Sequence, residues 1–111
     1  MVGIERIGHI YAETTSWESS VGFWEILGFS FVEQWGSEGH RAGRLVKGDA
    51  AVVLAEVAAD PVCNVFFDAS DLDAFQPGGS VITPLEDTHW GTRWIRVIDP
   101  DGRVFALEES S

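Results

Sequence analysis

The sequence predicts a small α+β domain made of two consecutive β-α-β-β-β units. Three observations predict this fold class. The chain has 111 residues, of which 45% are hydrophobic, so it can bury one core. Short strand-like runs, separated by glycine-rich turns, follow one clearly marked helix in the first half. The same order of elements then begins again in the second half, so we predict two modules, at residues 4–57 and 62–109.

The first predicted element is a strand at residues 4–13, where polar and apolar side chains alternate weakly. Because alternate residues of a strand share a face, four chemically varied side chains are expected on one side of it. These side chains belong to Ile7, His9, Tyr11 and Glu13.

A helix should follow this strand. Thr15 and Glu18 fit a capping box, in which Thr15 is the N-cap and Glu18 reaches back to it. Gly28 is expected to end the helix, since glycine readily takes the left-handed conformation found after helices. One stripe of the helix should pack against the sheet, and it consists of Trp17, Val21, Trp24 and Leu27.

The remaining elements are short. Strands at residues 29–35, 41–47 and 50–57 complete the first module, with turns at 36–39 and 48–49. The second module has a strand at 62–68, a one- or two-turn helix that starts at 70–73, is anchored by Phe75 and ends at 77–79, and strands at 80–84, 93–98 and 103–108. A long segment, residues 85–92, is expected between the first two of these three strands.

The last two strands should form a hairpin. Asp99 suits the first turn position, Pro100 presets the backbone of the second, and Gly102 can take a positive φ.

The formal net charge of −11 makes nucleic acids and anionic membranes poor partners, and it favours a cationic small molecule. The N-terminal residues resemble neither a signal peptide nor a transit peptide, and no apolar run has the length of a membrane span. We therefore expect a cytoplasmic protein. Its single cysteine, Cys63, lies in an apolar run and is expected in the core.

Two motifs carry a family resemblance. The run Phe23-Trp24-Glu25-Ile26-Leu27-Gly28-Phe29 and the run Trp90-Gly91-Thr92 before the Asp-Pro-Asp-Gly hairpin resemble the vicinal oxygen chelate superfamily. This superfamily includes glyoxalase I, extradiol dioxygenases, fosfomycin-modifying enzymes and bleomycin resistance proteins. The resemblance implies the glyoxalase/bleomycin resistance fold, in which mixed sheets from both modules curl around a shared cavity. It also implies a homodimer.

The same resemblance implies four metal-ligand positions, which fall on His9, Leu54, Asn64 and Ala106. Leucine and alanine offer no ligand atom, and an amide is a poor ligand for a transition metal, so we predict no metal cofactor. A rearranged site of His9, Glu56 and Glu108 is the alternative. Each glutamate lies two residues beyond a vacant position, which displaces it by roughly 6.6 Å along its strand.

We therefore predict a non-enzymatic protein of the bleomycin-resistance type, which sequesters a flat, cationic, antibiotic-like ligand in an acidic groove lined by aromatic residues. The alternative is a metal-dependent lyase, isomerase or dioxygenase with a rearranged site. Trp17 and Trp24 are expected in the core and His40 in solvent, whereas Trp35, Trp90 and Trp94 fit a pocket or a core equally well. The predicted ligand-binding residues are His9, Tyr11, Trp35, Leu54, Glu56, Asn64, Phe66, Trp90, Gly91, Trp94, Arg96, Ala106 and Glu108.

Overall fold

The computed structural model describes residues 3–74 and 80–110. These residues form two compact units, one of residues 9–63 and one of residues 3–8, 64–74 and 80–110, here called the N-terminal and C-terminal units. No helix within the described ranges is long and apolar enough to cross a membrane. The elements are β1 (Gly3–Thr14), α1 (Trp17–Ile26), β2 (Ser30–Trp35), β3 (Ala42–Lys47), β4 (Ala50–Glu56), β5 (Cys63–Ser70), a 3-10 turn (Leu72–Ala74), β6 (Val81–Asp87), β7 (Thr92–Ile98) and β8 (Val104–Ser110).

The N-terminal unit has the strand order β2-β3-β4-β1, in which β1 is parallel to β4 and the other pairs are antiparallel. Helix α1 packs on one face of these strands. Trp17, Leu45 and Leu54 form the buried centre of that contact. Trp24 packs against this cluster, which confirms the core prediction for Trp17 and Trp24.

The two ends of α1 differ in how well the sequence predicted them. Gly28 ends the helix with a φ of 97°, and its N–H donates to the Glu25 carbonyl at 2.9 Å, as predicted for a C-terminal glycine. The predicted capping box is wrong. Ser16 is the N-cap, its side chain makes no capping hydrogen bond, and its backbone N–H donates to Thr14 Oγ1 at the end of β1. The predicted stripe also stops early, since Leu27 is exposed.

The C-terminal unit has the strand order β5-β8-β7-β6, with the first residues of β1 beside β5. Strands β5 and β8 are parallel, and the other two pairs of this order are antiparallel. Its core consists of Ala69, Leu72, Ile95 and Leu107. Within the described residues, the region of the predicted second helix contains the 3-10 turn Leu72–Ala74, and the predicted anchor Phe75 and terminator at 77–79 lie outside them.

Strand β6 is longer than predicted. It continues to Asp87 because it pairs with β7 through two register shifts, and only residues 88–91 remain as a loop. The closing hairpin is confirmed. Gly102 has a φ of 84°, and Asp99 Oδ1 accepts the N–H groups of Asp101 and Arg103 at 2.9 and 2.8 Å.

The core prediction for Cys63 is wrong. Cys63 begins β5 directly after an exposed connector, and its side chain is exposed. A hydrophobic neighbourhood in sequence does not bury the first residue of a strand when the preceding chain leaves it uncovered. The α+β fold class itself is confirmed.

Candidate functional site

The N-terminal unit separates the predicted site residues between two sheet faces. Ala12 of β1 pairs with Leu54 of β4, and both belong to the cluster under α1. Because side chains alternate along a strand, His9 and Tyr11 lie on the opposite face. Leu54 is 1% exposed and contributes to the hydrophobic core, so the structure does not bring it together with His9.

Glu56 lies on the same face as Leu54, and it is an ion-pair partner there. Its carboxylate accepts Arg41 Nε at 2.9 Å, Arg41 Nη2 at 2.9 Å and the Gly39 N–H at 3.0 Å, and its side chain is only 13% exposed. These hydrogen bonds lower the pKa of Glu56 to about 2. The Arg41 guanidinium lies 5.6 Å from the centre of the Trp17 ring, so the Arg41–Glu56 ion pair lies beside the contact between α1 and the sheet.

The open face of the N-terminal unit carries Trp35, which is 48% exposed. A row of paired residues connects it to β1, since Trp35 pairs with Ala42, Ala42 with Ala55 and Ala55 with Glu13. Tyr11 donates its hydroxyl proton to Glu13 Oε2 at 2.8 Å. Burial, followed by the hydrogen bond to Glu13, raises the pKa of Tyr11 above its ordinary value.

The C-terminal unit brings most of its predicted binding residues together on one face, opposite its core. Phe66 pairs with Ala106 and Ala106 with Arg96, while Glu108 pairs with Trp94 in the next row. Asn64 belongs to the same face by alternation along β5. The Ala106 side chain is 1% exposed and forms the floor between its neighbours.

Three rings form a cluster on this face, here called the aromatic platform: Phe66, Trp90 and Trp94. Phe66 is buried beneath the cluster, at 8% exposure, and the His89 ring meets Trp90 edge to face at 4.8 Å. Trp94 lies at its centre, 5.9 Å from the Phe66 ring and 5.2 Å from the Trp90 ring between centroids. The two indoles meet edge to face at 86°, so they form a corner with two differently oriented ring faces. The Arg96 Cζ atom lies 5.1 Å from the centre of the Trp94 ring.

Both indole N–H groups of the platform are held by carboxylates. Trp90 Nε1 donates to Glu108 Oε2 at 2.7 Å, and Trp94 Nε1 donates to Glu86 Oε1 at 2.9 Å. Thr92 Oγ1 also donates to Glu108 Oε2, at 2.9 Å. The ring orientations are therefore fixed from their edges, while Trp90 remains 47% exposed.

Sequence reasoning missed Glu86, because that residue was placed in a loop. Its place on the platform depends on the register shifts between β6 and β7, which no local pattern announces. Gly91 was predicted as a site residue from the resemblance, and it does bear on the platform. Its φ of 93° lets the short loop return to β7 directly after Trp90.

An acidic cavity of about 370 Å³ lies beside the platform. Glu108, which accepts the Trp90 N–H, is one of its lining residues. It contains four carboxylates and one guanidinium, and that guanidinium, Arg6, is paired with Asp68 at 3.1 Å. The lining residues are Glu5, Arg6, Asp68, Ala69, Glu108, Glu109 and Ser110.

The four family metal positions do not fit a metal ion. Leu54 and Ala106 carry no donor atom, and Leu54 lies on the helix face of its sheet. Glu56 of the rearranged alternative is bound to Arg41 on that same face. Among residues 3–74 and 80–110, no group of three or more His, Cys, Asp or Glu residues has an arrangement that could hold a metal.

Comparison with known proteins supports the fold at low sequence identity. No family model matches the sequence, and no curated protein matches it. A glyoxalase/bleomycin resistance protein/dioxygenase superfamily member from Vibrio splendidus superposes with a TM-score of 0.74 at 18% identity, covering 92% of this chain and 97% of the other. Methylmalonyl-CoA epimerase from Mycobacterium tuberculosis gives a TM-score of 0.70 at 16% identity, covering 97% and 89%.

A hypothetical protein from Bacillus halodurans has the same fold, with a TM-score of 0.72 at 12% identity and coverage of 96% and 94%. These three neighbours match nearly the whole chain, and one of them bears the superfamily name that the two sequence motifs suggested. At these identities the likeness concerns architecture. The chain has the fold of the glyoxalase/bleomycin resistance protein/dioxygenase superfamily, the vicinal oxygen chelate fold.

Proposed function

We propose that the protein binds a flat, cationic small molecule on the aromatic platform without transforming it. One observation carries this proposal: the indole N–H groups of Trp90 and Trp94 are already bonded to carboxylates, the two rings meet edge to face, and Trp90 remains 47% exposed. Rings that are fixed before the ligand arrives lose little conformational entropy on binding. The arrangement suits stacking better than proton transfer.

Charge favours a cation. Glu108 and Glu86 stand at the edges of the two indoles, and neither forms an ion pair within the described part of the chain. The neighbouring cavity adds further carboxylates, and the whole chain carries a net charge of −11. A positive ring system would gain from these charges and from the electron-rich ring of the exposed Trp90, since the Trp94 ring already has the Arg96 guanidinium over it.

The expected affinity is micromolar. Ligands of drug size gain roughly 0.3 kcal/mol per non-hydrogen atom, so a compound of about 25 such atoms would bind with about −7.5 kcal/mol. That free energy corresponds to a Kd of a few micromolar.

Isothermal titration with acridine orange, a planar tricyclic cation, tests the proposal. We expect a Kd in the micromolar range for the unchanged protein. Trp90→Phe and Trp94→Phe should each weaken binding about three- to tenfold, because each removes stacking area and one carboxylate-anchored edge. Absence of heat and of tryptophan quenching at 100 μM protein would refute the proposal.

Trp35→Phe is the matched control. Trp35 is as exposed as Trp90, at 48% against 47%, but it belongs to the N-terminal unit. Its substitution removes the same chemical group and should leave the Kd unchanged. A loss equal to that of Trp90→Phe would show that binding does not depend on the platform.

Sequestration of an antibiotic is the specific role that we propose for such binding, since stacking and charge complementarity need no chemical step. The homodimer and the cytoplasmic location also remain proposals. Sedimentation at low micromolar concentration tests the dimer, and a purely monomeric species would contradict it.

A further inference from the structure

We infer that Arg96 binds a carboxylate or similar acceptor group of the ligand, so that the preferred ligand is a bipolar aromatic compound, cationic at one end and anionic at the other. This inference rests on the proposed function of the platform and names the class of molecule it takes. It follows from how Arg96 is held and from which of its atoms remain available.

Two contacts fix the Arg96 side chain. Its Nε atom donates to Thr83 Oγ1 at 2.9 Å, and Thr83 is one of the buried polar residues of the unit. Its guanidinium also lies over Trp94, with Cζ 5.1 Å from the ring centre. The group is therefore oriented by a hydroxyl and an aromatic ring, neither of which neutralises its charge.

Four other arginines of the chain are neutralised. Arg6, Arg41, Arg93 and Arg103 each form an ion pair with at least one carboxylate, at distances of 2.6–3.1 Å. Within residues 3–74 and 80–110, Arg96 and Arg44 form none, although the chain has 18 acidic and only seven basic residues. Of these two, Arg96 is the one beside the aromatic platform. A partly buried guanidinium that lacks an internal carboxylate in so acidic a chain suits an external one.

The two Nη atoms of Arg96 have the geometry that is needed to bind a carboxylate. With Nε bonded to Thr83, the two Nη atoms still offer a pair of parallel N–H groups. Such a pair binds a carboxylate through two hydrogen bonds, and a lysine ammonium cannot reproduce that geometry.

The sheet register places the two charged groups of the protein in neighbouring rows. Arg96 pairs with Ala106, while Trp94 pairs with Glu108, two residues away on each strand. Such rows are about 6.6 Å apart, and the Arg96 guanidinium extends toward the Trp94 row, where its Cζ lies 5.1 Å from the ring centre. A fused ring system of two or three rings is therefore long enough to place a cation beside Glu108 and a carboxylate beside Arg96 while it lies against the platform.

Two related probes test the inference by isothermal titration. The first is 9-aminoacridine, a planar cation, and the second is 9-aminoacridine-4-carboxylate, which adds an anionic group to the same rings. We expect the unchanged protein to bind the carboxylate compound about tenfold more tightly, and Arg96→Gln to abolish this preference while it changes the Kd of 9-aminoacridine by less than twofold.

Arg103→Gln is the charge-matched control, since Arg103 is a 67% exposed residue of the closing hairpin. It should keep the full preference. Thr83→Val provides a second variant that does not alter the charge. By releasing the Nε anchor it should reduce the preference to about two- to threefold, and thermal melts of all variants verify that they fold.

The outcomes separate the two proposals. Equal affinity of both probes for the unchanged protein, or a preference that survives Arg96→Gln, would overturn the inference and leave the platform proposal standing. Failure of both probes to bind would refute the platform and the inference together.

Discussion

The face on which Leu54 lies can be tested by comparing Leu54→Ala with Val53→Ala. The family resemblance places Leu54 at a cavity position, whereas the structure packs it against Trp17 and Leu45 beneath helix α1. Val53 is its neighbour on β4 and lies on the opposite face, paired with Tyr11 and Arg44. The two substitutions therefore probe opposite sides of the same strand.

The expected magnitude follows from burial. Truncating a fully buried leucine to alanine costs about 2–5 kcal/mol, and Leu54 is 1% exposed. At about 2.1 cal/mol/K per residue, unfolding of 111 residues has an entropy near 0.23 kcal/mol/K. A loss of about 3 kcal/mol therefore lowers the Tm by about 13 °C. Val53 is only partly buried, so Val53→Ala should cost about 1 kcal/mol, or about 4 °C.

Thermal unfolding followed by circular dichroism measures both changes, and titration with acridine orange at 20 °C measures binding. Leu54→Ala should lose stability and keep the ligand Kd, because its side chain belongs to the core under α1 and not to the aromatic platform. Two results would refute the assignment of Leu54 to the helix face. One is a decrease in Tm of less than about 4 °C for Leu54→Ala, and the other is a decrease in Tm that is larger for Val53→Ala than for Leu54→Ala.

Three further predictions concern acid stability, the platform loop and metal content. The pKa of Glu56 is about 2 in the folded protein, below its ordinary value of 4.5, so its stabilising effect is complete above about pH 5 and is lost as the pH falls toward 2. Glu56→Gln should therefore flatten the dependence of urea midpoints on pH in this range, and an unchanged slope would contradict the role of the Arg41 ion pair. Gly91→Ala and Gly39→Ala both place a methyl group in open space, at residues with φ values of 93° and 87°. Because alanine disfavours positive φ, each substitution should lower the free energy of unfolding by about 1–2 kcal/mol. Only Gly91→Ala should weaken the binding of acridine orange. Equal binding losses would show a general effect of stability. Because no group of possible ligands within residues 3–74 and 80–110 could hold a metal ion, plasma mass spectrometry should find less than about 0.1 metal ion per purified chain, and stoichiometric metal that disappears in His9→Ala would revive the enzymatic alternative.

Sequence patterns predicted the number and order of the strands because the residues that form turns are adjacent in the sequence. Glycines at Gly28 and Gly102 adopt the positive φ values that their positions require, and the chain reverses or stops there. The N-cap was predicted at Thr15, one residue before its actual position at Ser16. The three consecutive residues Thr14, Thr15 and Ser16 all carry hydroxyl groups, and the sequence alone does not show which of them precedes the first helical residue.

The candidate site was only partly predictable, since its assembly depends on contacts between distant residues. Alternation along β7 places Trp94 and Arg96 on one face, whereas Phe66 joins them only through the pairing of β5 and β7 with Ala106 of β8. The contact of Glu56 could not be predicted because its partner, Arg41, lies 15 residues earlier in the chain. The position of Glu86 beside Trp94 could not be predicted because it depends on the irregular register between β6 and β7. Local periodicity carries no information about either pairing.

Glu108 holds the platform from one edge. It accepts hydrogen bonds from both Trp90 and Thr92 through the same oxygen. These bonds hold the Trp90 indole at a fixed angle, which the proposed stacking on a flat ligand needs. The proposed function therefore predicts that Glu108→Gln, which keeps an acceptor but removes the charge, weakens a cationic ligand several-fold while it leaves the affinity for a neutral ring system unaffected.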